Sequence, residues 1–396
     1  MIRKVILTAT LAAAPFLAAA QFTVLDDCES GGYGIINGAI ATGTAGTAGP
    51  SVSAGVGYNG TSGIDVAYDF TSAGAFDAVF FDRFFTPADV SNAGAIALLV
   101  DGDAAFASNY NFYLSIYESG GTGGDDEFRS TKFTVADLGT DGFKTVVFPL
   151  ASFSDNNGGT GNDVFEGTIR SWRVVIEDPF ASGASGTLVF DDFGMYNTLA
   201  TGTGTASPGI TIDGSAADWA SVPYLVVDNT NPAPGTEFDF GEIKMCDDAT
   251  NIYVLANNLN PAWSGSGNDW LTFDIDGNGA TGYNFYGLNV NGSDFFVDGT
   301  GGSNRQDAGV FGDGFQGAAT ISSTTGAGPI EFAIPKSFIS DAINNNSSDP
   351  DPLANSDGAH LWFGTAGGEV VPQDAPAFYT WSAGTVPVEL DNFQID

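Results

Sequence analysis

The sequence predicts an all-β protein, two antiparallel β-sandwich domains in tandem behind an export leader, and three observations predict it. First, helical periodicity is nearly absent, while short alternating runs recur at 64–70 (IDVAYDF), 111–117 (NFYLSIY), 172–177 (WRVVIE) and 187–191 (TLVFD). A period of two places alternate side chains on opposite faces of a strand. Second, Gly, Asn, Asp and Ser gather between such runs, as at 120–126 and 155–162, which is turn chemistry at sandwich spacing. Third, the 54 glycines follow no collagen period, and 43% apolar with 13% aromatic residues is more than disordered chains carry.

The leader comes first in the chain. Arg3 and Lys4 precede a mostly apolar stretch over 5–17, and Ala18, Ala19 and Ala20 supply small residues for cleavage. That is the pattern of a secretory signal peptide over 1–20, with Gln21 as the first mature residue. The apolar stretch is too short to cross a bilayer comfortably and no other long uncharged run follows, so no membrane span is expected. The remaining length suits two domains. The first is read over 21–197. A small, uncharged, Thr/Gly-rich linker follows at 198–209 (TLATGTGTASPG). The second domain is read over 210–385, starting with a strand at Ile210, and a tail over 386–396. Within the second domain 252–256, 271–275, 295–297 and 330–334 read as buried strands, and 335–343 as a short helix or helical turn.

Charge narrows the partners. With 48 acidic against 11 basic residues the formal net charge is −37. Such a surface repels phosphate backbones, which excludes nucleic acid as a natural partner. It suits salty water, where screening relieves self-repulsion, and a few acidic clusters could hold calcium. Two cysteines, Cys28 and Cys246, cannot form a disulfide scaffold. They fall in different predicted domains, as either one interdomain bridge or two buried thiols.

In the first domain 24–29 (VLDDCE) and 188–193 (LVFDDF) set a paired-Asp strand at each end. Between them lie 143–150 (FKTVVFPL), then Phe153, and the run 169–177. This ordered set, over about 22–197, resembles the galactose-binding-like jelly rolls found as carbohydrate-binding modules beside secreted enzymes. The resemblance implies sugar binding through exposed aromatic rings. Tyr33, Tyr58 and Tyr110, in Gly/Asn-rich stretches, are the candidates, while Phe80, Phe81, Phe84, Phe85 and Trp172 read as core. In a jelly roll the terminal strands are neighbours, so Glu29 and Asp191, with Asp192 third, are candidate ligands of a structural calcium ion; the alternative is that these residues cap strands and turns.

In the second domain 210–214 (ITIDG) leads to Asp218-Trp219, then 242–245 (EIKM) and 247–254 (DDATNIYV). Next come 269–278 (DWLTFDIDGN), running to Thr281-Gly282-Tyr283, then 292–297 (GSDFFV) and 330–336 (IEFAIPK). This order, over about 208–382, resembles family 9-like carbohydrate-binding domains. Trp219 belongs to the opening motif and reads as packed. Trp263 lies in the loop sequence NPAWSG, where an exposed indole would need a purpose, and it is the leading candidate for a sugar platform. Trp270, Trp362 and Trp381 are further candidates. Asp274, Asp276 and Asn278 alternate around Gly277, as in the first half of a calcium loop. Phe285 stands where an EF-hand would need its bidentate Glu, so the loop is either a calcium site completed from elsewhere or a plain β-turn.

No catalytic set is expected. His360 is the only histidine and reads as a packed residue, no Gly-x-Ser-x-Gly elbow is present, and neither a phosphate-binding loop nor a dinucleotide fingerprint occurs. At the end of the chain 386–390 (VPVEL), followed by Phe393, resembles a segment common near the C-terminus of type IX-secreted proteins of Bacteroidetes-like bacteria; a final edge strand is the plain alternative. The expected protein is therefore a secreted, extracellular, non-catalytic binder of polysaccharide or oligosaccharide with structural calcium. The alternative is a structural or adhesive cell-surface sandwich without a sugar ligand.

Overall fold

The computed structural model describes residues 22–381, apart from 30–34, 41–43, 73, 103–109, 119–125, 135–141, 157–160, 179–184, 198–206, 229–234, 266–268, 276–281, 286–291, 308–309, 324, 340–357, 367–368 and 373–374. The predicted runs are strands, and every named pairing is antiparallel.

Two sheets form from the first half of the chain. The back sheet runs β10 (Phe143–Pro149), β6 (Ala93–Gly102), β13 (Ser185–Asn197), β4 (Ser62–Ser72), β3 (Thr44–Ala54), with β1 (Phe22–Asp26) also on β13. The front sheet runs β11 (Ser154–Asp155), β8 (Glu127–Arg129), β7 (Asn111–Glu118), β12 (Thr168–Asp178), β5 (Asp77–Asp89), β2 (Ile35–Ile40), with β9 (Phe133–Thr134) on β7. One parity of each strand fills the space between them. Phe112, Leu114 and Ile116 from β7 meet Trp172, Val174 and Ile176 from β12 and Ile64, Leu98 and Phe190 from the back sheet. Trp172 is fully buried, as its pattern predicts, and stacks on Phe193 at 5.1 Å. Asp26, from the first paired-Asp strand, accepts two hydrogen bonds from the buried Arg83 guanidinium, at 2.8 and 2.9 Å.

Two further sheets form from the second half. One runs β14 (Tyr224–Val227), β15 (Phe240–Asp247), β16 (Asn251–Asn258), β22 (Gly328–Pro335), β21 (Thr320–Ile321). The other runs β20 (Val310–Ala318), β19 (Gly302–Asp307), β18 (Phe295–Asp298), β17 (Asp269–Asp274), β23 (Gly358–Thr365), β24 (Val370–Val371), with β25 (Ala377–Thr380) on β23. Residues 336–339 make a helical turn. The strand expected at Ile210 is absent. The amides of Asp213 and Gly214 donate to Glu331 Oε2 and that of Thr211 to Asp218 Oδ2, so these N–H groups serve carboxylates and not a ladder. Cys28 and Cys246 are free and buried in separate clusters.

The outer face of the back sheet is covered by the second half. Phe22, Ala95, Ala97, Val147 and Tyr196 share one hydrophobic cluster with Leu225, Val226 and the second-half core. The Tyr196 hydroxyl donates to the carbonyl of Leu225 at 2.5 Å, and its ring stacks on Phe378. Tyr224 donates to Asp192 at 2.5 Å and Val227 N–H to Thr145 at 2.9 Å. At Gly94 the Phe378 ring comes so close that a β-carbon would lie 2.1 Å from it. Each buried aromatic at this junction contributes roughly 1.5–3 kcal/mol of apolar transfer. The front sheet turns its own outer face away from the junction.

Candidate functional site on the front sheet

The front sheet's second parity makes an outward face of mixed rings and charges. With Phe112, Leu114 and Ile116 facing inward, Tyr113, Ser115 and Tyr117 face out. By the same alternation β12 presents Ser171, Arg173, Val175 and Glu177, β5 presents Ala78, Phe80, Asp82 and Phe84, and β8 presents Glu127 and Arg129. Register aligns them in rows across the sheet. Asp82, Arg173, Ser115 and Arg129 form one row, Phe80, Val175 and Tyr113 the next, and Phe84, Ser171, Tyr117 and Glu127 a third.

These side chains form a mesh of rings and ion pairs. The Arg173 guanidinium lies 4.4 Å from the centre of the Phe80 ring and 5.2 Å from that of Tyr117. It donates to both carboxylate oxygens of Asp82, with Nη2 to Oδ2 at 2.9 Å. Arg129 and Lys132 both stand over the Tyr113 ring, at 4.8 and 5.2 Å from its centre. Glu127 accepts from Ser115 at 2.8 Å and from Arg129 at 3.2 Å. Glu177 accepts from Asn111 at 2.6 Å and from Lys132 at 2.7 Å. Burial pushes the Glu127 carboxyl up, but hydrogen bonds from Ser115 and Asn156 and the charges of Arg129 and Arg173 outweigh it and hold it below the usual glutamate range. Burial raises the Tyr117 phenol, with Arg173 opposing.

Charge on this face balances, since Asp82, Glu127 and Glu177 are matched by Arg173, Arg129 and Lys132. Three of the chain's 11 basic residues thus sit on one face of a protein of net charge −37. The cationic side chains keep partial exposure, with Arg173 21%, Arg129 25% and Lys132 44%, while Phe80 and Tyr117 are half-buried and Tyr113 is buried.

None of these residues is among those the sequence singled out for sugar contact, and Phe80 and Phe84 read there as core. The structure puts the expected platforms elsewhere. Trp263 is 2% exposed, edge-on to Phe238, with its Nε1–H donated to Asp269 at 2.8 Å. Its ring offers no free face, and the exposed-loop reading is corrected. Tyr110 is fully buried against Tyr68 and Phe70. Tyr58 is buried at the junction, donating to Glu242 at 2.7 Å. Trp381 packs on the second-half core beside Tyr379. Tyr33 lies outside the described residues.

Trp270 and Trp362 do come together, on the outer face of the sheet containing β17 and β23, with Phe296 and Phe285. They are 2% and 7% exposed, and Tyr283, set edge-on to Phe285, packs against the cluster. This second aromatic face is closed.

The expected calcium ligands Glu29, Asp191 and Asp192 lie near one another, and each accepts hydrogen bonds from protein donors. Both Glu29 oxygens accept the Ser62 amide at 3.1 Å. Asp191 accepts from the Tyr58 amide at 2.8 Å, the Thr61 hydroxyl and the Asp192 amide, and Asp192 accepts from Tyr224. These hydrogen bonds are the ones the turn-capping alternative calls for. Among the described residues no three His, Cys, Asp or Glu side chains are arranged to hold a metal ion. Asp274 lies beside His360 Nδ1 at 3.4 Å, and Asp276 and Asn278 fall outside the described residues.

No protein-family model matches the sequence, and no curated protein does. Solved structures similar to the chain include carbohydrate-binding modules with β-sandwich folds. The family 11 module from Clostridium thermocellum in complex with a β-1,3-1,4-mixed-linked tetrasaccharide is 18% identical over 46% of this chain and 99% of its own, with a TM-score of 0.32. TmCBM61 in complex with β-1,4-galactotriose is 11% identical over 41% of this chain and 88% of its own, at 0.22. A β-1,2-glucanase from Parabacteroides distasonis is 10% identical over 66% of this chain and 31% of its own, at 0.31.

Proposed function

We propose that the chain is a secreted, non-catalytic carbohydrate-binding protein that holds an uncharged polysaccharide or oligosaccharide across the outer face of the front sheet. One observation carries this reading: rows of Tyr and Phe rings on that face alternate with Arg–carboxylate pairs. A pyranose offers C–H groups to a ring face and hydroxyls that both donate and accept. A guanidinium beside a carboxylate supplies a donor and an acceptor at one spacing, held rigid by the sheet. The even charge balance on the face and the net charge of −37 around it favour a neutral chain over a uronate or sulfated one.

Affinity electrophoresis in gels containing neutral glucans, xylans or galactans, with pectate and alginate as acidic comparisons, tests this. Retardation by a neutral glycan that disappears in Arg173→Ala supports it. No retardation on any glycan returns the chain to the structural or adhesive reading. Reducing-sugar release from the same panel would make it an enzyme. Export belongs to the same proposal, and a mature protein starting at Gln21 is its measurable form. So does a structural calcium ion at the 274–278 loop: a melting temperature lowered by EDTA and restored by calcium supports it, and an unchanged one removes it.

A further inference from the structure

The junction between the two halves contains a charge imbalance that nothing in the binding reading uses. Lys144 from β10 sits with its Nζ 3.3 Å from Asp228, just past β14. Asp239, just before β15, and Glu369, between β23 and β24, complete the group. Asp228 is fully buried, Asp239 is 1% and Lys144 2% exposed. Glu369 Oε1 accepts the Phe240 amide at 3.0 Å. Its Oε2 and both carboxylate oxygens of Asp239 are buried without a hydrogen-bond partner. One cation therefore faces three carboxylates. An ionised, unpaired, buried carboxylate is strongly disfavoured, so something must neutralise the excess. The described residues hold no three ligating side chains arranged for a metal ion, which leaves the proton.

We propose that this junction is a proton-controlled latch: Asp239 and Glu369 are protonated while the halves are docked, and their ionisation weakens the docking. The titration behaviour agrees. Burial first, then the charge of Asp228, pushes Asp239 up to about 6, against the pull of Lys144. Burial, Asp228 and Asp239 drive Glu369 well above the usual range, against the Phe240 amide and Lys144. A carboxyl whose pKa is raised on folding binds more protons folded than unfolded, so stability falls as pH rises. For Asp239 the loss starts above its ordinary value of 3.8 and is complete once pH passes about 6. Glu369 extends the decline to higher pH.

Thermal melting of the full chain tests this with wild type and the double variant Asp239→Asn plus Glu369→Gln, which keeps the acceptor for Phe240 N–H. At about pH 4 the two melt together; by about pH 8 the variant melts several degrees higher. The gap between them is the readout, because repulsion across the acidic surface is common to both. A gap that does not change with pH, or a variant less stable than wild type at about pH 8, overturns the latch. So does a wild type whose melting point at that pH is lifted to the variant's by added calcium, since a metal would then be the neutralising species. The wild type alone gives a second measurement, independent of variant folding. Its infrared spectrum at neutral pH should contain the carbonyl stretch of a protonated carboxylic acid, lost on titration to alkaline pH; absence of that band overturns the proposal.

Discussion

The front-sheet face and the Trp270–Trp362 face are built by the same rule, the outward parity of a sheet whose inward parity is core, yet they end in different states. On the front sheet three rings are bordered by charge: Arg173 lies over Phe80 and Tyr117, Arg129 and Lys132 over Tyr113. The carboxylates Asp82, Glu127 and Glu177 are themselves buried, and it is the Arg and Lys ends of their ion pairs that keep contact with solvent on this face. On the other sheet Trp270, Phe296 and Trp362 carry no such border, and Tyr283 and Phe285 close over them. Tyr113 is as buried as Trp270, so what distinguishes the two faces is the half-buried Phe80 and Tyr117 under Arg173. Indoles are therefore a weaker guide to a binding face here than tyrosines interleaved with arginine.

The sharpest attack on this contrast is Trp270→Ala. It should cost about 3–5 kcal/mol in urea unfolding and leave glycan retardation of the folded protein unchanged. Lost retardation in a folded variant would reverse the assignment of the two faces. Next, Arg173→Ala or Tyr117→Ala should weaken glycan binding by about tenfold or more, some 1.4 kcal/mol, and Arg173→Ala should also lower stability because it leaves the buried Asp82 carboxylate without its partner. Glu127→Gln should lower stability at neutral pH by about 0.5–1.5 kcal/mol. Its carboxyl is depressed in the folded protein, so its contribution is present above the ordinary value of 4.5 and lost as pH falls below it. Urea midpoints of the two proteins should converge in acid; a constant difference would detach Glu127 from its Arg partners. Lys132→Ala, with a side chain 44% exposed, should change stability by under about 0.5 kcal/mol and mark the rim of the face.

Much of this was legible from the chain alone. Alternation in 111–117 and 172–177 placed β7 and β12, and the paired-Asp ends placed β1 beside β13. The site was missed although part of its signal was there. Tyr113, Ser115 and Tyr117 share one parity of NFYLSIY, and Arg173 and Glu177 share one parity of WRVVIE. What could not be read was adjacency. Arg173 meets Asp82 across 91 residues, and only strand order makes them neighbours. The loop sequence NPAWSG predicts an exposed indole at Trp263; Asp269 supplies a buried acceptor for that N–H six residues on, which periodicity does not reveal.

Gly94 gives the two halves a mechanical adjustment screw. Its missing side chain is the space the Phe378 ring occupies. Alanine there would act as a shim one methyl thick, forcing the ring aside and prising the halves apart without altering either sandwich interior or either aromatic face. Close approach at this point of the junction thus depends on the one residue without a side chain.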